Sequence, residues 1–132
     1  PTFDLFMELF REPRYEGLLF GDLSAATLVN RAGRPLRELL AASDLHHRLV
    51  NGSDYPLPTF GVMIRTGKMK RDGLITAEQA RLVDEIQRSN PRLADLVLKR
   101  CLRLERDGVV YSFHNDIFHN ASELFRGQAP KP

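Results

Sequence analysis

The chain has 132 residues, 42% of them hydrophobic and 27% charged, the size and make-up of one ordinary soluble domain able to bury a core of its own. Nineteen Lys and Arg against seventeen Asp and Glu leave a formal charge of +2, so the pI near 9.0 reflects arginine usage and argues little for nucleic acid. No apolar run approaches the roughly 20 residues of a membrane span, the beginning lacks the basic-then-apolar order of a signal peptide, and the single Cys101 permits neither an internal disulfide nor a cysteine-built zinc site. These features predict a cytoplasmic protein that meets no membrane and no nucleic acid.

Phe3, Phe6, Met7 and Phe10 fall at i, i+3, i+4 and i+7, which predicts a helix over residues 2–12 with one strongly apolar face, stopped by Pro13. Leu18-Leu19-Phe20 is short, unbroken and apolar, the pattern of a strand buried on both faces in a parallel sheet, and Gly21-Asp22-Leu23-Ser24 ends it. Ala25 to Ala32 reads as a short helical excursion, and Arg34 to Ala42, with Pro35 in its first turn, as the next helix. The chain returns through Asp44-Leu45-His46-His47 to a second strand, Arg48 to Asn51. Two strands joined by about 25 to 30 residues of helical material form a β-α-β unit, whose strands are parallel neighbours.

Beyond Phe60 the texture becomes helical. Phe60 to Arg71 is ambiguous, since Gly61 and Gly67 argue against a regular helix. Thr76-Ala77-Glu78-Gln79 is a capping box opening a helix to about Arg88, with Ala80, Leu82, Val83 and Ile86 as its apolar positions. Asn90-Pro91 repeats the cap-then-proline signal for a helix to about Arg106, before Gly108. Val109 to Phe113 reads as a short strand and Asp116 to Phe125 as a last helix. This divides the chain into residues 1–58, 59–127 and a disordered tail, 128–132.

The stretch Leu49-Val50-Asn51-Gly52-Ser53-Asp54-Tyr55-Pro56-Leu57-Pro58 carries the chemistry. A short strand there runs into a carboxylate on a Gly/Pro turn, the position at which α/β proteins keep working residues. Asp54 is the first candidate, although Ser-Asp-x-Pro also makes ordinary Asx turns. Asp22 and Ser24, at the carboxyl end of the first strand, line the same rim, where either a substrate contact or a turn-stabilising hydrogen bond is open to them. Tyr55 is grouped with them.

Other polar motifs point to structure. His46 and His47 are adjacent, about 100° apart on a helix, and stand at a helix end where a charged imidazole complements the dipole. His114 and His119 miss the i, i+4 register of helical metal pairs. Cys101 sits in the stripe Leu93, Leu96, Val97, Arg100, Cys101, Leu104 and reads as core filler. Lys68 to Gln79 imitates a calcium loop, but lysines replace its first two carboxylates and Gln79 its bidentate Glu, so calcium would be repelled. Arg65, Lys68, Lys70 and Arg71 read as a solvated basic face.

Leu19-Phe20-Gly21-Asp22-Leu23-Ser24-Ala25 resembles the seventh strand and "GD(I/L)SA" ending of the metal-dependent amidohydrolase superfamily, and Gly52-Ser53-Asp54-Tyr55-Pro56 resembles the "GSDxP" of its eighth strand. Pro35 to Arg48 is similar to the helix between those strands. Gly73-Leu74-Ile75-Thr76-Ala77-Glu78, Asn90-Pro91 and Val97-Leu98-Lys99-Arg100 are similar to its closing helices. The resemblance implies an α/β fold, the C-terminal portion of a (β/α)8 barrel, with two parallel strands and a helix-rich extension. A whole barrel needs about 250 residues, and the chain starts inside what looks like the helix before the seventh strand, so a fragment is expected. The resemblance further implies that Asp54 is catalytic and a ligand of a divalent metal, with zinc the expected ion. Asp22, Ser24 and Tyr55 would bind a small-molecule substrate, and water would be activated against an amide, ester or lactone bond. No HxH pair is present, so the remaining ligands would come from an N-terminal barrel half. A decarboxylase of the same superfamily is the nearest alternative. A non-catalytic helical module covering its strands by forming a homo-oligomer is the alternative from another class.

Overall fold

A computed structural model describes residues 2–28, 31–52 and 64–122. Asp54, Tyr55, most of the Phe60 to Ile64 stretch and the 128–132 tail lie outside them. The fold is α/β. Helix α1 (Thr2–Arg11) is the expected phenylalanine helix, with Phe6 stacked on Phe10 at 5.0 Å and Phe10 fully buried. Pro13 turns the chain through a short 3-10 segment, Pro13–Tyr15.

The first strand departs from expectation. Leu18 and Leu19 donate their backbone N–H groups to the Tyr15 carbonyl, so they complete a turn, and Leu18 is 78% exposed. Strand β1 is Gly21–Asp22, one step further on, and it pairs in parallel with β2 (Leu49–Val50), Gly21 opposite Leu49 and Asp22 opposite Val50. The ladder continues through Leu23 N–H to the Val50 carbonyl at 2.9 Å. Between the strands lie α2 (Arg34–Ala41), which buries Leu36 and Leu40, and a 3-10 segment, Ser43–Arg48. The β-α-β expectation therefore holds for topology, while the apolar triplet before β1 is a turn.

Three helices follow: α3 (Thr66–Arg71), α4 (Ala77–Ser89) and α5 (Pro91–Cys101). The capping box forms as expected, Gln79 N–H to Thr76 Oγ1 at 3.1 Å and Thr76 N–H to Gln79 Oε1 at 2.9 Å, and Asn90 caps α5 through Leu93 N–H. Helix α5 ends at Cys101 rather than near Arg106. Leu104–Arg106 is instead strand β3, joined to β4 (Val109–Tyr111) as an antiparallel hairpin. Its two-residue turn is Asp107-Gly108 with φ of 53° and 76°, the left-handed pair that tight hairpins require and that Asp-Gly favours. A last 3-10 segment, Asn115–Phe118, replaces the start of the expected final helix.

One core links the five helices, β2, β3 and the last two 3-10 segments, from Phe10, Leu36 and Leu49 to Met69, Leu98 and Ile117. The two sheet edges differ. Beyond β2, Ile117 accepts from Asn51 N–H at 3.2 Å and the Asn120 amide donates to the Leu49 carbonyl at 2.9 Å, so that edge is covered by the C-terminal segment. On β1, Leu23 N–H points toward β2; by alternation the Asp22 backbone points to the opposite edge, which no described strand occupies.

Candidate functional site

The carboxyl ends of β1 and β2 are tied together by one side chain. Asp22 Oδ1 accepts the N–H of Ser24 at 2.8 Å, an Asx turn, and the N–H of Gly52 at 3.0 Å across the strand gap. Gly52 admits this approach because it has no side chain: a Cβ there would lie 2.6 and 2.8 Å from the Asp22 carboxylate oxygens and 3.0 Å from Ser24 Cβ. Asp22 and Ser24 thus stand together at the carboxyl end of β1, and Asp22 forms the turn-stabilising bond there. Asp54 follows Gly52 by two residues, in a segment that, with Tyr55, is outside the described residues.

Gly52 is held from its other side as well. Lys99 Nζ donates to the Gly52 carbonyl at 2.7 Å and to Asp95 Oδ2 at 2.7 Å, while Asp95 Oδ1 accepts the Thr27 hydroxyl at 2.7 Å. The Lys99 side chain is 0% exposed and that of Asp95 2%, so a complete ion pair lies in the interior. Its i, i+4 spacing on α5 is the signal sequence reading passed over, because such pairs on helices are usually surface pairs. Asn51 Oδ1, on the same rim, is buried with no hydrogen-bond partner among the described residues.

A cleft of about 470 Å³ opens between α1 and α2, along the β1 edge that no described strand occupies. Phe3, Phe6, Phe20 and Leu36 form its apolar wall, and Asp22 and Arg31 stand among its polar groups. The balance, apolar walls with a few polar groups, is that of small-molecule pockets, and the position beside a free strand edge is equally that of a slot for a further strand.

Among the described residues no group of three or more His, Cys, Asp or Glu side chains could hold a metal ion. The one described carboxylate at the rim, Asp22, has an oxygen committed to two backbone amides. These residues do not by themselves fit a metal centre.

The histidines lie elsewhere. His46 is fully buried, its Nε2 donating to the Leu39 carbonyl at 2.9 Å and its Nδ1 accepting His114 N–H at 3.3 Å. Both roles are filled in the neutral ring, and burial pushes its pKa below the ordinary value. The expected charged dipole partner is therefore a neutral bridge between two segments of the core. His47 is exposed, 3.4 Å from Glu16 Oε1. Cys101 is half-buried, with burial pushing its thiol pKa up, as suits core filler. In the calcium-like loop Lys68 pairs with Asp72, a cation closing on the carboxylate a metal would need.

Arg48 also escaped the sequence reading. Only 3% exposed, its guanidinium donates to the carbonyls of Phe10 at 2.7 Å, Tyr15 at 2.9 Å and Leu19 at 3.0 and 3.1 Å, and stacks over the Phe10 ring at 4.4 Å. It closes the C-terminus of α1 and the turn leading into β1, one residue before β2 begins. No helix among the described residues is long and apolar enough to cross a membrane. No protein-family model, curated protein or solved structure matches the chain.

Proposed function

We propose that the chain is the C-terminal part of an amidohydrolase-like (β/α)8 barrel, a metal-dependent hydrolase acting on an amide, ester or lactone bond. The observation that supports this best is the β1 edge, which no described strand occupies and which opens on an apolar cleft faced by Phe3 and Phe6 of α1. For a closed barrel the C-terminal segment that lies along the β2 edge would have to give way to the barrel's first strand. Parallel strands connect through right-handed crossovers, so a strand preceding α1 would lie beside β1, on the side away from β2, and fill that cleft. A sheet continued in that direction is what the reading requires.

The carboxyl-end rim supports the functional half of the reading. Gly52 is clamped through its N–H by Asp22 and through its carbonyl by Lys99, two residues before Asp54 in the chain. In the complete enzyme Asp54 would serve as metal ligand and general base, the other ligands coming from preceding strands. Ser24 and Tyr55 would face the substrate beside Asp22. The cation, zinc by expectation, would lower the pKa of a bound water.

The test is metal analysis and hydrolysis by the protein at its native length, on a panel of amides, esters and lactones. Stoichiometric metal and hydrolytic turnover, both lost in Asp54→Asn, are expected. Metal content indifferent to Asp54→Asn would sink the reading. Metal-dependent release of carbon dioxide in place of hydrolysis would move it to the decarboxylases. A metal-free dimer of these 132 residues alone would replace it with the self-associating module, the second copy covering the β1 edge.

A further inference from the structure

The geometry points to a second binding site, lined by none of the residues assigned to the strand-end rim, for a small phosphomonoester with a hydroxyl-bearing body. A cleft of about 480 Å³ lies where the end of α5 meets the segment after β4, lined by Arg100, Arg103, Ser112, His114, Asn115 and the rings of Phe113 and Phe118. No Asp or Glu is among its described lining residues. Two solvent-exposed arginines therefore line one recess without a described carboxylate beside them, an arrangement open to an anion.

The two arginines are held in different ways, and each has donors that no described residue takes. Arg100 lies over the Phe118 ring, 4.7 Å from its centroid, and makes no hydrogen bond or ion pair to a described residue. The stacking restrains a planar group whose donor edges remain open, so less freedom is lost when it binds. Arg103 uses Nη1 alone, donating to the carbonyls of Arg100 at 2.9 Å and Leu102 at 2.7 Å. Those bonds satisfy carbonyls at the C-terminus of α5, whose partial negative charge would otherwise oppose an anion there. A cap needs one arginine; the second stacks on Phe118 and pairs with no described carboxylate.

Size and lining define the ligand. About 480 Å³ falls in the range of sites for small organic molecules and is far more than a bare phosphate fills. The Ser112 hydroxyl and Asn115 amide match hydroxyl groups, and the guanidinium pair matches phosphate oxygens. A phosphorylated sugar or polyol has both.

Calorimetric titration of the purified protein with glucose 6-phosphate, glucose and inorganic phosphate tests the assignment. Glucose 6-phosphate should bind, at least tenfold tighter than inorganic phosphate, and glucose should not; binding should weaken as salt is raised. Arg100→Gln should weaken binding about tenfold or more, the loss expected for one charge-assisted contact. Ser112→Ala, a smaller change, should lower affinity for glucose 6-phosphate and leave inorganic phosphate unaffected. Absence of binding to the folded protein, equal affinity for inorganic phosphate, or affinity unmoved in both variants overturns the proposal. The readout is independent of metal content and hydrolysis, so its failure is distinguishable from failure of the hydrolase reading.

Discussion

Lys99→Met is the substitution from which the interior ion pair has most to reveal. The Lys99 ammonium is inaccessible to solvent and donates at 2.7 Å both to Asp95 Oδ2 and to the Gly52 carbonyl. Methionine fills most of the same volume, so the loss is electrostatic rather than a cavity. Asp95 would lose the ammonium of its buried pair, and removing one partner of such a pair costs about 3–5 kcal/mol. A Gly52 carbonyl deprived of its donor falls within the same figure. Against a total stability of about 5–15 kcal/mol, this is a large fraction. Urea unfolding should show the midpoint drop with an unchanged slope. The double variant Asp95→Leu/Lys99→Met, which removes both charges, should recover to within about 2 kcal/mol of the parent, because an apolar replacement of a buried pair is often neutral. A Lys99→Met loss below about 1 kcal/mol, or a double variant as unstable as the single, would refute the placement of this pair in the core. Hydrogen exchange at Gly52 N–H should quicken in Lys99→Met, since the residue loses one of its two clamps.

Gly52→Ala should destabilise by about 1–3 kcal/mol, read as a fall in melting temperature, because its Cβ must displace the Asp22 carboxylate; an unchanged melting temperature would contradict the strand-end geometry. Arg48→Met should lose about 3 kcal/mol or more in urea unfolding, leaving the Phe10, Tyr15 and Leu19 carbonyls without their shared donor, and should speed hydrogen exchange in the last turn of α1. His46 makes stability depend on pH. Its folded pKa lies below the ordinary value of 6.5, so above that pH both states are neutral and stability is complete. As pH falls from about 6.5 toward the folded pKa, the unfolded chain takes up the proton first and stability declines. Equilibrium unfolding across this window should show that decline, and His46→Gln should flatten it; an equal slope in the variant would assign the effect to other groups.

Much of the fold was written in local chemistry. The phenylalanine spacing of α1, the Thr76–Gln79 capping box and the Asn90-Pro91 start of α5 each depend on residues within a few positions of one another, so the sequence alone locates them. The β-α-β topology was legible for a similar reason, since connection length constrains strand direction. The hairpin was legible too, through Asp107-Gly108, but an apolar period carried past Cys101 to Leu104 masked it.

What only the tertiary structure decided is where distant groups meet. Leu18-Leu19-Phe20 has the composition of a buried strand, yet the Tyr15 carbonyl captures two of its N–H groups and the ladder starts at Gly21. Nothing near His46 in the chain announces that its ring will join the Leu39 carbonyl to His114 N–H, and nothing near Arg48 that it will close α1. At the rim, sequence could nominate Asp22 and Ser24 as residues at a strand end. The closing of Asp22 onto Gly52, and of Lys99 onto the same residue from α5, required two strands and a helix to be brought together. The physical reason is common to all of these. Capping, periodicity and turn chemistry are short-range interactions encoded by neighbours, whereas the pairing of a buried polar group is settled by whichever donor or acceptor the packed core places beside it, however far away in the chain.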